Sequence, residues 1–267
     1  MHDRVLITGA ASGLGRELAL RWAKAGAKIC IADINETRAQ EVLNQISTQG
    51  GDVFFQSCDI TSMAQIEELK AQLMQRWQGV DLVINNAGIA SADSLEDEDI
   101  EQWQQIIEIN LLGAVRVSKV FASLFKQQGN GYFLNIASQA GITPIPKMGS
   151  YNASKAALVS FSETMRLELV DDNIGVSVMC PGFFKTNLKD SLRTKSEALV
   201  KFLDKVMDRA TVTSEDVAET AFQGVNNKDF LILSHAEGRK ALRIKRWFPN
   251  LYLKMMLKQT KRIRGQK

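Results

Sequence analysis

Residues 5–15 read Val5-Leu6-Ile7-Thr8-Gly9-Ala10-Ala11-Ser12-Gly13-Leu14-Gly15. A short apolar run meets three glycines in a G-x-x-x-G-x-G spacing, and a helical pattern then runs from Arg16 to Ala25 until Gly26 stops it. A strand that ends in a Gly-rich turn and feeds a helix opens a βαβ unit. Glycine lets the backbone turn tightly and approach a ligand with no Cβ in the way. The helix N-terminus behind it offers unpaired N–H groups and a positive dipole end, which suits a pyrophosphate. Gly9, Ser12, Gly13, Leu14 and Gly15 are therefore candidates for holding a dinucleotide. The plainer alternative is a tight turn with no ligand.

The pattern repeats outward from this turn. Strand-like stretches follow at Lys28–Asp33, Val53–Cys58, Asp81–Asn85, Gly131–Ala137, Gly175–Cys180 and Asp229–Leu233. Helical stretches alternate with them, through Ile46 and then over Met63–Trp77, Asp99–Lys126 and Tyr151–Leu169. This alternation predicts an α/β fold of the Rossmann type: a doubly wound, seven-stranded parallel sheet with helices on both faces. Residues 1–237 read as one catalytic domain and residues 238–267 as a basic amphipathic extension with extra helices. Asp33 ends the second strand, where a carboxylate accepts from the ribose hydroxyls and repels a 2′-phosphate. That favours NAD over NADP, with Arg16 and Arg38 the nearest cations in sequence.

Composition sets the outer limits. The chain has 267 residues, 45% hydrophobic and 24% charged, which excludes disordered and collagen-like classes. Cys30, Cys58 and Cys180 are too few and too far apart for a disulfide framework or a zinc site, and they read as buried thiols of a reducing compartment. His2 and His235 cannot supply a metal cluster, and His2 reads as frayed terminus. No targeting segment precedes Val5, and no apolar run approaches the ~20 residues of a membrane span, so a cytoplasmic location is expected.

The chemistry centres on Tyr151 and Lys155, four apart on one helical face. An ammonium beside a phenol, helped by a nicotinamide's positive ring, favours the phenolate, which predicts a lowered Tyr151 pKa and a group able to exchange protons near neutrality. Polar or glycine-containing signals also follow the other strands: Cys58-Asp59-Ile60, Asn85-Asn86-Ala87-Gly88, Ser138 and Pro181-Gly182. In an open parallel sheet these strand ends share one crevice, where ligands bind.

With these pieces together the chain resembles a short-chain dehydrogenase/reductase over about residues 4–235. The matching residues are Thr8–Gly15, Asp59, Asn85–Gly88, Asn110, Ser138, Tyr151 with Lys155, and Pro181-Gly182 through Thr186. The resemblance implies an oxidoreductase that exchanges a hydride between a nicotinamide cofactor and an alcohol or carbonyl. It implies Tyr151 as general acid/base, Ser138 as the group that holds the substrate oxygen, and Lys155 on the nicotinamide ribose. Asn110 would hold a water that relays protons. Asp59 and Ile60 would meet adenine, Asn86, Ala87 and Gly88 the cofactor ribose, and Phe184 and Thr186 the carboxamide.

On the substrate side, Gln139, Ile145, Met148 and Phe183 join Ser138 and Tyr151 as candidate lining. Apolar lining with few polar anchors suits a lipophilic alcohol, aldehyde or ketone. Lys185–Asp208 reads as a charged helical lid.

The tail departs from the family. Residues 238–267 hold eleven Lys or Arg and no Asp or Glu, so a net charge of +3 conceals a body of −8. Many family members end in a Gly-rich segment at a tetramer axis; its absence here leaves a homodimer on the long helices or a homotetramer as the alternatives. Arg239–Trp247 and Leu251–Ile263 read as two helices broken at Pro249, with Lys254, Lys258, Lys261 and Arg262 opposite Tyr252, Leu253, Met256, Leu257 and Ile263. Such helices lie on anionic membranes or pack on the protein body. Nucleic acid fits less well, since no reading module accompanies the charge. Two other functions compete: an NADP-dependent 3-oxoacyl-type reductase, and a non-catalytic dinucleotide-binding sensor or scaffold.

Overall fold

The computed structural model describes residues 2–184, 192–194, 196–261 and 263–264. Strands and helices alternate as β1 (Arg4–Thr8), α1 (Gly13–Lys24), β2 (Lys28–Asp33), α2 (Glu36–Ser47), β3 (Val53–Ser57), α3 (Met63–Trp77) and β4 (Leu82–Asn85). After the short β5 (Ala90–Ser91) come α4 (Ile100–Ile107), α5 (Ala114–Gln128), β6 (Gly131–Ile136), α6 (Gln139–Ile142), α7 (Gly149–Leu169) and β7 (Ile174–Met179). The chain continues with β8 (Leu192–Arg193), α8 (Glu197–Asp208), α9 (Ser214–Asn226), β9 (Leu231–Ile232), α10 (Ala236–Trp247) and α11 (Pro249–Gln259).

Seven strands form one parallel sheet in the order β3-β2-β1-β4-β6-β7-β9. The order reverses between β1 and β4, and that point opens the crevice at the carboxyl ends of the strands. Side chains along β1 alternate between the two faces. Val5 and Ile7 pack with Leu18 and Trp22 of α1, Val42 of α2 and Val217 of α9. Leu6 packs with Leu69 of α3, Phe121 of α5 and Met165 of α7. Both faces of the sheet are thereby covered. Side-chain caps fix several helix starts: Asn35 accepts from Arg38 N, Ser62 from Gln65 N, and Thr213 forms a capping box with Asp216.

Three expectations need correction, and one element lies beyond them. The long helix over Asp99–Lys126 is three pieces, because a π-helical turn at Glu108–Gly113 separates α4 from α5. The seventh strand contracts to Leu231–Ile232, where it pairs with Val178 and Met179. A second small sheet, Ala90–Ser91 against Leu192–Arg193, has no sequence signal at two residues a side. His2 is not frayed: its ring lies 5.1 Å from that of Tyr132, and burial holds its pKa below the ordinary value. Within the expected lid, β8 and α8 are seen, whereas Lys185, Thr186 and Leu188 lie outside the described residues.

The tail packs on the body. Lys245 Nζ donates to the Ile142 carbonyl at 2.5 Å, and Ile263 reaches a small space beside Ala92, Met148 and Leu199.

Candidate active site

A cleft of about 940 Å³ follows the carboxyl edge of the sheet. At one end stands the turn after β1. Gly9 has φ +65°, and a Cβ there would meet Ala87 Cα at 2.8 Å, so the turn requires glycine for both conformation and space. Thr8 Oγ1 accepts from the N–H groups of Asn86 (3.1 Å) and Ala87 (3.2 Å), and Asn86 Nδ2 donates to the carbonyls of Thr8 and Gly9 at 3.0 Å each. Asn86 thus braces the turn. Ser12 makes no side-chain cap on α1, and the first turn of that helix carries no acidic residue. Ser12, Gly13, Leu14 and Gly15 line the cleft with these donors uncapped. That arrangement fits the pyrophosphate of a dinucleotide.

Asp33 lines the same end, where its carboxylate accepts from Ala11 N and Asn35 N at 2.9 Å each. Asp59 accepts from the Thr61 amide and hydroxyl, and beside it Ile60 is buried against the Gly113 backbone. Arg38 also lines this end, whereas Arg16 pairs with Glu17 and Gln45.

The candidate proton-handling residues Ser138, Tyr151 and Lys155 line the same cleft. α7 brings Tyr151 and Lys155 to one face, with Lys155 Nζ 5.9 Å from the Tyr151 ring centre. Ser138, at the start of α6, hydrogen-bonds the Tyr151 phenol and accepts from Ala140 N at 3.1 Å. Lys155 is buried, and its Nζ donates to the Ile136 carbonyl at 2.9 Å. Burial lowers its pKa from 10.5 to about 8, with the nearby Cys180 opposing.

Tyr151 departs from the expected direction. Burial pushes its phenol above the ordinary value, the Ser138 hydrogen bond opposes this and Cys180 adds to it. Desolvation disfavours the phenolate more than the surrounding protein groups favour it.

Asn110 is not among the residues that line the cleft, and its side chain joins neighbouring segments. Its Oδ1 accepts from Ile89 N at 2.8 Å, and its Nδ2 donates to the Ile89 carbonyl at 2.9 Å and to Ser154 Oγ at 3.2 Å. The side chain ties the π-helical turn to the loop after β4 and to α7. π-turns often mark functional sites for this reason: they turn one residue out of the helical ladder.

Two supporting groups escape a reading of the sequence. Glu98 is buried and accepts from both Ser150 Oγ and Ser150 N. It caps the start of α7 from another segment, since the helix has no side-chain cap of its own. His235 Nδ1 accepts from Gly182 N at 3.1 Å, which leaves its Nε2–H to donate to the Phe183 carbonyl at 3.0 Å. It clamps the loop after β7. Pairing across more than fifty positions leaves no local pattern to find.

Gln139, Ile145, Met148 and Phe183, the candidate substrate-side residues, line the cleft together with Met207 of α8. Phe184 lines the cleft and also packs against the core. The tail adds Ala241 and Ile244 from α10 and Tyr252, Met255 and Met256 from α11. Periodicity puts Tyr252 and Met256 on the apolar side of that helix, but it carries no sign that this side closes over the cleft. Gly88, Pro181 and Gly182 line the cleft as expected, while Thr186 lies outside the described residues.

The sequence pattern of the family described as short chain dehydrogenase matches residues 3–197. The CLA biosynthesis dehydrogenase/reductase of Lactiplantibacillus plantarum is 32% identical over 256 residues, covering 88% of this chain and 89% of the relative. A short chain dehydrogenase/reductase from Burkholderia phymatum, solved in complex with NAD, superposes with a TM-score of 0.87 at 28% identity, over 92% of this chain and 94% of that one. An alcohol dehydrogenase from Thermococcus sibiricus, solved with 5-hydroxy-NADP, gives a TM-score of 0.74 at 26% identity, over 86% and 94% of the two chains. The chain belongs to the short chain dehydrogenase family, a family of oxidoreductases whose solved neighbours bind NAD or NADP.

Proposed function

We propose that this family member is an NAD-linked dehydrogenase or carbonyl reductase acting on the CH–OH or C=O group of a lipophilic substrate. The observation that carries this reading is the shared cleft, in which Ser138, Tyr151 and Lys155 face the same space as the uncapped start of α1 and an apolar end. A bound nicotinamide dinucleotide supplies the hydride donor or acceptor. Tyr151 Oη gives its proton to the carbonyl oxygen in reduction and takes the alcohol proton in oxidation. Ser138 Oγ holds that oxygen in register. The Lys155 ammonium stabilises the phenolate as it forms, and its bond to the Ile136 carbonyl fixes its position. Asn110 acts through Ile89 and Ser154 as a positioning residue. Asp33 supports NAD; Arg38 beside it is the observation that favours NADP as the second reading.

Primary and secondary alcohols and the matching aldehydes and ketones, of increasing chain length, test this with both cofactors. Turnover that rises with chain length and prefers NAD is expected. A tenfold preference for NADP overturns the reading of Asp33, and turnover of 3-oxoacyl thioesters with NADPH favours that reductase class. Tyr151→Phe is expected to lower kcat at least a thousandfold while leaving dinucleotide binding within about threefold. NADH binding with no turnover of any carbonyl supports the sensor reading instead. A homodimer is supported by the exposed Leu112, Leu167 and Val170 on the π-turn and at the end of α7; light scattering distinguishes it from a tetramer.

A further inference from the structure

The tail helices have two faces. The inner face of α11 presents Tyr252, Met255 and Met256 to the cleft. The outer surface of α10 and α11 presents Trp247, Phe248, Leu251, Leu253 and Leu257 to solvent, with Trp247 71% and Phe248 62% exposed. Other exposed large apolar residues, such as Ile34 and Leu95, are scattered along the body, whereas these five fall within residues 247–257. Scattered apolar residues need no explanation, but a cluster does.

Charge selects the occupant. Arg243, Arg246, Lys254, Lys258 and Lys261 are exposed around the cluster, and no acidic residue occurs from 238 to 267. The body carries the opposite sign, −8. A second copy docked tail to tail brings the same cations to such a contact, and like charges oppose it; docking of the tail on the acidic body of another copy is what the self-association measurement below reads. A surface of anionic headgroups over an apolar layer matches both the cations and the aromatic corner at Trp247-Phe248. No helix among the described residues is long and apolar enough to cross a bilayer, so the attachment is to the surface.

We propose that α10 and α11 dock on an anionic lipid surface through Trp247, Phe248 and the flanking Lys and Arg. Docking turns the substrate end of the cleft toward the membrane, because Tyr252, Met255 and Met256 on the other face of α11 line that end. A lipophilic substrate then passes from the bilayer into the cleft without crossing water. This last step rests on the substrate class proposed above; the docking itself does not.

Flotation of the full chain with vesicles of phosphatidylcholine, with and without phosphatidylglycerol (~30%, enough for a strong negative surface potential), tests the docking without reference to activity. Binding at least tenfold tighter to the anionic vesicles, weakening as salt rises, is expected. Trp247→Ala with Phe248→Ala, and separately Lys254→Glu with Lys258→Glu, are expected to lower that binding at least tenfold while thermal melting stays unchanged. Equal binding to both vesicles, no binding, or self-association lost in the Trp247→Ala/Phe248→Ala protein overturns the docking. If vesicle binding holds but no alcohol or carbonyl is turned over, the substrate reading fails and the docking stands.

Discussion

Lys155 shows how one residue trades stability for chemistry. Its folded pKa of about 8 lies below the ordinary 10.5. Below about pH 8 both folded and unfolded chains carry the charge, and the fold bears the full cost of burying it. Between about 8 and 10.5 the folded chain has shed the proton and the unfolded chain has not, so stability rises with pH in that window. Lys155→Met is therefore expected to stabilise the protein by about 1–3 kcal/mol at pH 7, with the difference from the parent shrinking toward pH 10.5, and to abolish turnover. Melting curves of both proteins near neutrality and near the upper end of that window check this; a destabilised variant at neutral pH sinks the account. As the proposed general acid/base, Tyr151 sets the pH dependence expected of the activity. With its phenol held above the ordinary value, carbonyl reduction is expected to stay level through neutral pH, because the acid form is already present. Alcohol oxidation is expected to climb with pH, because the base form is scarce. Initial rates in both directions across about pH 6–10, the range in which such groups titrate, read the two trends. The types and spacing of Tyr151, Lys155 and Ser138 announce them in the sequence. The direction of the phenol's shift does not show there, because it depends on burial and burial is a property of the packed chain.

Helix starts and breaks decide where those groups point. α7 carries Tyr151 in its first turn, and the carboxylate of Glu98 closes that turn from 52 residues upstream. Glu98→Ala is expected to cost about 1–2 kcal/mol of stability and to lower kcat more than it raises KM, as the first turn of α7 loosens around Tyr151. Glu98→Gln, which keeps an acceptor, is expected to recover most of the activity and stability. If both variants match the parent in melting temperature and kcat, the cap is not functional. The strands and most helices are legible because their periods are local: β1 alternates Val5 and Ile7 against Leu6, and α1 stops at Gly26. The break at Glu108–Gly113 is not. Asn110, inside that turn, bonds Ile89 from outside its own helix, a pairing that no local period announces. The buried chain from Asn85 through Asn135 to Ser162 is hidden for the same reason: each member reads singly as a polar residue inside an apolar element.

At the scale of the whole molecule, the tail supplies residues to the lining of the cleft. Its charge is legible from the count of Lys and Arg; its contribution to the cleft is not, because nothing within residues 238–267 points to Ile145 or Met148. Met255→Ala with Met256→Ala is expected to raise KM for long-chain alcohols about tenfold more than for short ones, equivalent to roughly 1.4 kcal/mol of apolar packing against the chain end. A uniform effect on both substrate lengths argues against contact with the chain. The strand order adds a consequence for biosynthesis. β1 is made first and lies inside the finished sheet, with β2 and β3 added on one side and β4, β6, β7 and β9 on the other. Each new unit meets an edge already in place, so a chain emerging N-terminus first can assemble without rethreading. The glycine turn after β1 therefore exists before α10 and α11, which add their residues to the cleft lining later. A ribosome paused before Ala236 holds the strands and loops that build the cleft but lacks Ala241, Ile244, Tyr252, Met255 and Met256, so the part of the wall they supply is added after the rest.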